Sequence, residues 1–516
     1  MKILLCTPVK GYGIKIATPP LGLLFIATVL RGHDVKIIDN YLTKSDFEDF
    51  KTELLSFNPD IVGISCNVED RFNAFDTAKF IKSQLPNSFI IFGGPFPTIC
   101  YHELLESFDF IDVVVVGEGE YTMPELVEAY QQKKDYDFIT GVAFRKNGEI
   151  TFTGQRDFIK NLNDFPMPAY DLIDVKKYPS YLNDYSIYLY DDKEIKNLKY
   201  SVSLIFGRGC PFNCSFCSSK ELWRRSFRMI SPEKAVDQLK YFYNQGIKAF
   251  TIWDDHFLLN KKWFNEFYDL IKKSDMHFYF KCLSRVDSID VDIVKKLREI
   301  GCVKVVLGIE SGSSNMLKEM DKRITTEQAE EAVKLLYENQ IVTEAGSIID
   351  MPGETIEDIR ESLLFFKKLD DKYQKIQKPA SPVKIYPGAD LEKYARKTGF
   401  LDGFTWTKPF YEKRNIMFNV TPYVPIYENI KTEKLFVIML RESIKVEFGP
   451  AVRSLLYHNL TTSPVLCMRA VLGSFKGNIL RTSNYLGKEV LGGSVRLYRK
   501  LKRQIKFKLI MKEKLK

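Results

Sequence analysis

The chain has 516 residues, 45% of them hydrophobic and 27% charged, with a net charge of +9. That is the composition of a globular protein too long for one ordinary core. The basicity is local: Arg469 to Lys516 carries fourteen Lys or Arg against Glu489 and Glu513, a net of +12, which leaves the remainder near −3 and argues against a nucleic-acid groove in the body.

The first 130 residues alternate short apolar runs with helical patterns. The runs are Lys2 to Pro8, Asp34 to Ile38, Asp60 to Cys66, Phe89 to Phe92 and Ile111 to Val116, and Ala74 to Leu85 is one helical segment between them. Gly63 interrupts the branched, apolar core of the third run. Strands buried on both faces and joined by helices predict a doubly wound parallel sheet. Met1 to Cys6 therefore reads as a strand and not as a signal peptide. The most apolar stretch, Gly13 to Leu30, contains Lys15 and Pro19-Pro20 and does not read as a transmembrane helix. Ligands on such sheets sit beyond the carboxyl ends of the strands. There the sequence offers Ser65, the pair Gly93-Gly94 with Pro95, and Gly117-Glu118-Gly119-Glu120. Paired glycines admit a bulky ligand close to the backbone, and glycine after a strand also serves simply as a turn.

Residues 131–200 form a linker. Asn147-Gly148 lies inside Gly141 to Gly154 and predicts a hairpin, and the proline-rich run Asn161 to Pro168 follows.

The most informative stretch is Gly207-Arg208-Gly209-Cys210-Pro211-Phe212-Asn213-Cys214-Ser215-Phe216-Cys217. Random placement of nine cysteines produces this spacing with an expectation of about 0.003. Three thiolates from one loop can hold three irons of a 4Fe-4S cluster and leave the fourth open. A structural zinc site wants a fourth Cys or His, and the next candidates, Cys282 and His256, are distant in sequence. A disulfide framework suits a secreted chain richer in cysteine.

Beyond this loop the alternation resumes. Ser231-Pro232-Glu233 opens a helix to about Asn244. Strand-like runs occur at Ser201 to Phe206, Ala249 to Trp253, His277 to Cys282, Val303 to Ile309, Thr343 to Ile349 and Val383 to Ile385. Six βα repeats over residues 201–399 predict a partial (β/α)6 barrel with its site at the carboxyl ends of the strands. Those ends carry Asp254-Asp255, Arg285, Glu310 and Gly346. Of two adjacent carboxylates in extended backbone, only one faces a ligand. Each of these residues also has a plain reading as a surface ion pair or helix cap. His256 and Cys282 receive no role.

The cysteine loop, with Phe216 just before its third cysteine, resembles that of the radical S-adenosylmethionine enzymes. Joined to it, the N-terminal segment resembles the cobalamin-binding domain that precedes the radical domain in the B12-dependent members. That likeness rests on Pro20-Leu21-Gly22-Leu23, Arg31-Gly32-His33, Gly93-Gly94 and Gly117 to Glu120. The resemblance implies a 4Fe-4S cluster on Cys210, Cys214 and Cys217, with S-adenosylmethionine near Phe216, Asp254, Asp255, Arg285, Glu310 and Gly346. It implies cobalamin at Ser65, Gly93, Gly94, Gly117 and Glu118. One departure stands out: many cobalamin domains have a DxHxxG motif after the first strand whose His ligates cobalt, whereas Val9 to Pro20 contains no His. His33 and His102 are expected to be solvated. The family reading predicts reductive cleavage of S-adenosylmethionine to a 5′-deoxyadenosyl radical and methylation of an unactivated carbon through methylcobalamin. A radical cyclase or rearrangement enzyme with the same cofactors is the alternative, and a non-catalytic corrinoid and iron-sulfur sensor is the alternative of another class.

Residues 400–516 are expected to form a variable helical region with a basic tail. Leu497, Leu501 and Ile505 recur every four residues among Arg499, Lys500, Lys502, Arg503 and Lys506. Such a helix suits packing on the body or an anionic membrane surface, with RNA contact a third reading. The expected partners are a small-molecule or lipid substrate and an external electron donor of flavodoxin or ferredoxin type, with no nucleic acid. The expected place is the reducing cytoplasm, peripheral at the inner membrane if the tail docks there.

Overall fold

The computed structural model describes residues 1–9, 17–180, 182, 193–373, 381–408 and 432–446. It divides into two compact units, Met1–Leu307 with Leu335–Val342 and Lys384–Val424, and Gly308–Lys334 with Thr343–Val383 and Pro425–Lys516.

The first unit opens with β1 (Lys2–Cys6), β2 (Asp34–Ile38), β3 (Ile61–Ser65), β4 (Phe89–Gly93) and β5 (Val113–Val115), separated by helices that include Leu21–Val29, Arg71–Gln84, Pro95–Ser107 and Gly119–Gln131. These five strands pair in parallel in the order β2-β1-β3-β4-β5. Ile3, Leu5, Ile91 and Val113 of the sheet bury against Leu23 and Ala27 of one helix and Leu126 and Val127 of another. This removal of branched side chains from water, worth roughly 1.5–3 kcal/mol each, is why the runs lack polar alternation. Gly63 is a packing glycine: a Cβ there would lie 2.7 Å from Cδ2 of Leu5 on the neighbouring strand.

The hairpin forms at the expected place, as β6 (Val142–Lys146) and β7 (Glu149–Phe152). Asn147 and Gly148 take φ of 53° and 85°, the conformation a tight two-residue turn between twisted strands requires. It does not stand apart as a linker, however. β6 pairs antiparallel with β5, so the hairpin extends the first sheet to seven strands.

After the hairpin come β8 (Val202–Leu204), the short pair β9 (Gly207–Arg208) and β10 (Arg228–Met229), β11 (Ala249–Ile252), β12 (Tyr279–Arg285), β13 (Cys302–Glu310), β14 (Val342–Ile349) and β15 (Ser381–Pro382). Apart from β9 and β10 they form one sheet in chain order, β8-β11-β12-β13-β14-β15, as a partial barrel requires. Ser231 caps the helix Pro232–Tyr243 by accepting from Lys234 N. The last strand lies two residues earlier than the apolar run Val383 to Ile385 suggests: Ile348 pairs with Ser381 and Ile349 with Pro382. It is the edge of the sheet, where a proline lacking N–H is tolerated.

Residues 384–408 belong to the first unit, where Arg71 Nε donates to the Trp406 carbonyl and Trp406 Nε1 donates to Glu392, each at 2.8 Å. Of the C-terminal region, only residues up to 408 and the helix Thr432–Lys445 are described; the basic tail falls outside the described residues. Among the described residues no helix is long and apolar enough to cross a membrane.

Candidate functional site

Parallel strands put their carboxyl ends on one edge, and in the first unit that edge opens onto a cavity of about 750 Å³. Ser65, Gly93, Gly94, Gly117 and Glu118 all line it. Gly94, at φ 103°, is required by the backbone, since a Cβ there would come within 3.0 Å of the Cys66 carbonyl. A Cβ at Gly93 or Gly117 would meet nothing within 4 Å, although Gly117, at φ 89°, also has a backbone that favours glycine. Their missing side chains leave room in the cavity, a cradle for a flat, bulky ligand. The polar groups Thr7, Tyr41, Asn67 and Thr98 also line this wall. Sequence reasoning passed over them because isolated hydroxyls and amides after strands carry no spacing signal.

The opposite wall comes from the segment around the cysteine loop and contributes Ile205, Gly207, Arg208, Trp223, Trp253 and Asp255. The two walls are tied by charge. Glu118 Oε1 accepts from Arg208 at 2.7 Å, and Oε2 accepts from Arg228 at 2.8 Å and from the Ile159 amide at 2.8 Å. Glu120 accepts from the other branch of Arg208 at 2.5 Å. The Arg208 guanidinium lies over Phe25 at 4.8 Å, and that of Arg228 over Phe158 at 4.6 Å. Burial alone would raise the Glu118 carboxyl, but the hydrogen bonds and charge of Arg228 and Arg208 hold it below the ordinary range. Glu118, expected to meet cobalamin, thus lines the cavity with its carboxylate engaged by two arginines. Arg208, two residues before Cys210, is a site residue the sequence reading did not single out.

Within the loop, Cys217 N donates to the Cys214 carbonyl at 3.1 Å and Ser219 N donates to Cys217 Sγ at 3.4 Å. Burial pushes the Cys210 thiol up and the Cys217 thiol up to about 11. Iron binding reverses this preference, since a metal takes the thiolate. No three His, Cys, Asp or Glu among the described residues converge as for a single ion. Phe216 is half-buried in this loop.

The adjacent carboxylates, both just past the end of β11, divide between core and cavity. Asp254, 1% exposed, turns inward, and its Oδ1 accepts from Phe206 N at 2.7 Å; burial raises its pKa to about 7. Asp255 lines the cavity and accepts from Ser219 Oγ at 3.5 Å. Arg285 is buried at the end of β12, with Nε donating to Asp287 at 3.0 Å and Nη1 reaching Cys214 Sγ at 3.7 Å. His256 is a core residue whose Nε2 meets Ser288 Oγ at 2.8 Å, and Cys282 is fully buried.

In the second unit Glu310 sits at φ 72° and accepts from Lys322 at 3.1 Å. A Cβ at Gly346 would fall 3.3 Å from Glu310 Oε2, and one at Gly308 would lie 2.8 Å from both Oε1 and Lys322 Nζ. Glycines at 308 and 346 thereby clear the space for this buried pair, and Lys322 is a further residue the sequence reading missed.

Comparison with known proteins agrees with this arrangement. The Radical SAM superfamily profile matches residues 204–366 and the B12 binding domain profile matches residues 14–127. The chain is 34% identical over 414 residues to an uncharacterized methyltransferase, PH0819, of Pyrococcus horikoshii, covering 79% of this chain and 86% of that one. It is 28% identical over 361 residues to the anaerobic magnesium-protoporphyrin IX monomethyl ester cyclase of Synechocystis, covering 68% and 69%. Among solved structures, the fold matches the cobalamin-dependent radical enzyme OxsB with aqua-cobalamin and S-adenosylmethionine bound, at a TM-score of 0.69 and 17% identity, over 98% of this chain and 81% of that one. It also matches the radical methyltransferase TsrM of Kitasatospora setae at 0.61 and 18% identity, over 78% and 77%. A cysteine loop able to hold a cluster, whose flanking residues Gly207, Arg208 and Trp223 line the glycine-bordered cavity on a B12-type sheet, and these relatives lead to one assignment: the chain belongs to the cobalamin-binding radical S-adenosylmethionine enzymes and uses a 4Fe-4S cluster, S-adenosylmethionine and cobalamin.

Proposed function

We propose that the protein is a C-methyltransferase acting on an unactivated carbon. The observation that carries this reading is the single cavity whose walls are the strand-end glycines of the B12-type sheet and the flank of the cysteine loop. A methyl donor bound among the strand-end glycines and a radical source bound at the cysteine loop would both border this cavity, which would suit transfer of a methyl group to the carbon from which hydrogen has been taken. The bound cofactors supply reductive cleavage of S-adenosylmethionine to the 5′-deoxyadenosyl radical and a transferable methyl group. The residues supply the rest. Gly93 and Gly117 leave space, the Glu118, Arg208 and Arg228 pairs fix the walls, and Trp223 and Trp253 keep water from the reacting carbon. Relatives named as methyltransferases, among them the hopanoid C-3 methylase of Methylococcus capsulatus at 28% identity, support the same reading.

None of the four described histidines, His33, His102, His256 and His277, lines the cavity, so we further propose that bound cobalamin would find no His ligand for its cobalt there; nitrogen hyperfine splitting from a His in the spectrum of bound cob(II)alamin would refute this. The cyclase alternative is favoured by one observation, the 28–29% identity to magnesium-protoporphyrin IX monomethyl ester cyclases. Incubating anaerobically reconstituted protein with cobalamin, reductant, methyl-deuterated S-adenosylmethionine and an extract of cells lacking the gene separates the two. The methyltransferase reading predicts a metabolite carrying the deuterated methyl together with 5′-deoxyadenosine and S-adenosylhomocysteine. Deoxyadenosine with an unlabelled, altered metabolite supports cyclisation instead. The substrate is proposed as a small molecule or lipid and the reductant as a flavodoxin- or ferredoxin-type donor.

A further inference from the structure

The Arg285 guanidinium is wedged against the cysteine loop. Its charged end lies 3.6 Å from the centroid of the Phe212 ring, which belongs to that loop. Nη1 points at Cys214 Sγ at 3.7 Å, within the longer range of hydrogen bonds to sulfur. Nε and Nη2 grip the Asp287 carboxylate at 3.0 and 3.1 Å, which fixes the plane of the fork. Arg285 is 5% exposed and Cys214 9%, so water screens this contact little.

We propose that Arg285 tunes the cluster: its N–H to the Cys214 sulfur and its charge raise the reduction potential of the 4Fe-4S centre. The inference rests on the cluster assignment to Cys210, Cys214 and Cys217 and goes beyond a contact with S-adenosylmethionine. Reduction adds one electron from an external donor and makes the cluster more negative by one charge, while the guanidinium stays protonated throughout. A fixed cation and an N–H donor at a ligating sulfur stabilise the reduced form more than the oxidised one. Asp287 holds the fork and partly offsets its charge.

The test is an EPR-monitored redox titration of reconstituted protein without S-adenosylmethionine, on wild type, Arg285→Met and Arg285→Lys, with iron and sulfide content measured first. The expected result is a midpoint shifted to more negative potential in Arg285→Met and a smaller shift of the same sign in Arg285→Lys, which keeps the charge and loses the fork. If Arg285→Met takes up no cluster, Arg285→Lys decides by the same sign. A wild-type midpoint in a variant with full iron content overturns the proposal, and weaker S-adenosylmethionine binding at that unchanged midpoint assigns Arg285 to the cofactor instead. Loss of the cluster from all three cysteine-to-alanine variants remains the separate test of the cluster assignment, so the two failures are distinguishable.

Discussion

The charged joint between the two cavity walls makes a demanding prediction. In Glu118→Gln the carboxylate that meets Arg208 at 2.7 Å and Arg228 at 2.8 Å becomes a neutral amide. Arg208 keeps Glu120 at 2.5 Å, whereas Arg228 keeps only the Ile159 carbonyl and its ring contacts. The side chains involved are only 6% and 12% exposed, so solvent cannot take over the role of the lost charge. Removing one partner of a buried pair typically costs about 3–5 kcal/mol. The lower figure applies here because Gln still accepts one hydrogen bond, and ~3 kcal/mol corresponds to a factor of ~100 in an equilibrium constant. Anaerobic urea titrations of wild type and variant, followed by far-UV circular dichroism and by intrinsic tryptophan fluorescence, read the change. A midpoint difference equivalent to less than ~0.5 kcal/mol, the size of a screened surface pair, would refute the claim that this joint holds the walls. The pH dependence has a definite sign. The folded carboxyl lies below its ordinary range, so its contribution is present above the unfolded pKa and is lost as pH falls through the folded one; Glu118→Gln abolishes that acid-side loss.

Three further outcomes follow from individual residues. Gly93→Val, where a Cβ meets nothing within 4 Å and the backbone is strand, changes stability by less than about 1 kcal/mol yet weakens cobalamin binding at least tenfold in an equilibrium titration; unaltered affinity would mean that the cavity is not the corrin site. Gly94→Ala, at φ 103° and against the Cys66 carbonyl, destabilises by about 1–3 kcal/mol, measured by thermal melting of the apoprotein. Asp254, raised to about 7 by burial, binds a proton in the folded state that the unfolded chain releases above about pH 4. Its contribution therefore declines as pH rises from about 4 to about 7, and Asp254→Asn flattens the melting profile across that window.

Much of the fold was legible because burial on both faces writes continuous apolar runs. β2 was placed at its observed bounds, and β1, β3, β4, β13 and β14 within two residues at either end. What escaped was pairing, which depends on partners and not on local pattern. The hairpin at Asn147-Gly148 was recognised, but nothing in Val142 to Phe152 says that its first strand will pair with β5. β15 was misplaced because an edge strand of two residues, one of them Pro382, carries no apolar signature. In the site, spacing disclosed the cysteine loop and the glycine turns. Glu118 was legible as a cavity residue, but its arginines were not, because Arg208 and Arg228 meet it from about 90 and 110 residues away in sequence. That only one of Asp254 and Asp255 faces the cavity agrees with the sequence expectation, although both lie past the end of β11, whereas Lys322 owes its place to the space left by Gly308.

The measurement that tests the central claim most directly is the formation of 5′-deoxyadenosine from S-adenosylmethionine under reduction, in anaerobically reconstituted wild type and in Cys210→Ala, Cys214→Ala and Cys217→Ala. The account predicts deoxyadenosine from the wild type and none above background from any variant, with cobalamin still bound in the first unit of each. Undiminished deoxyadenosine from a variant lacking one of the three thiols would contradict it.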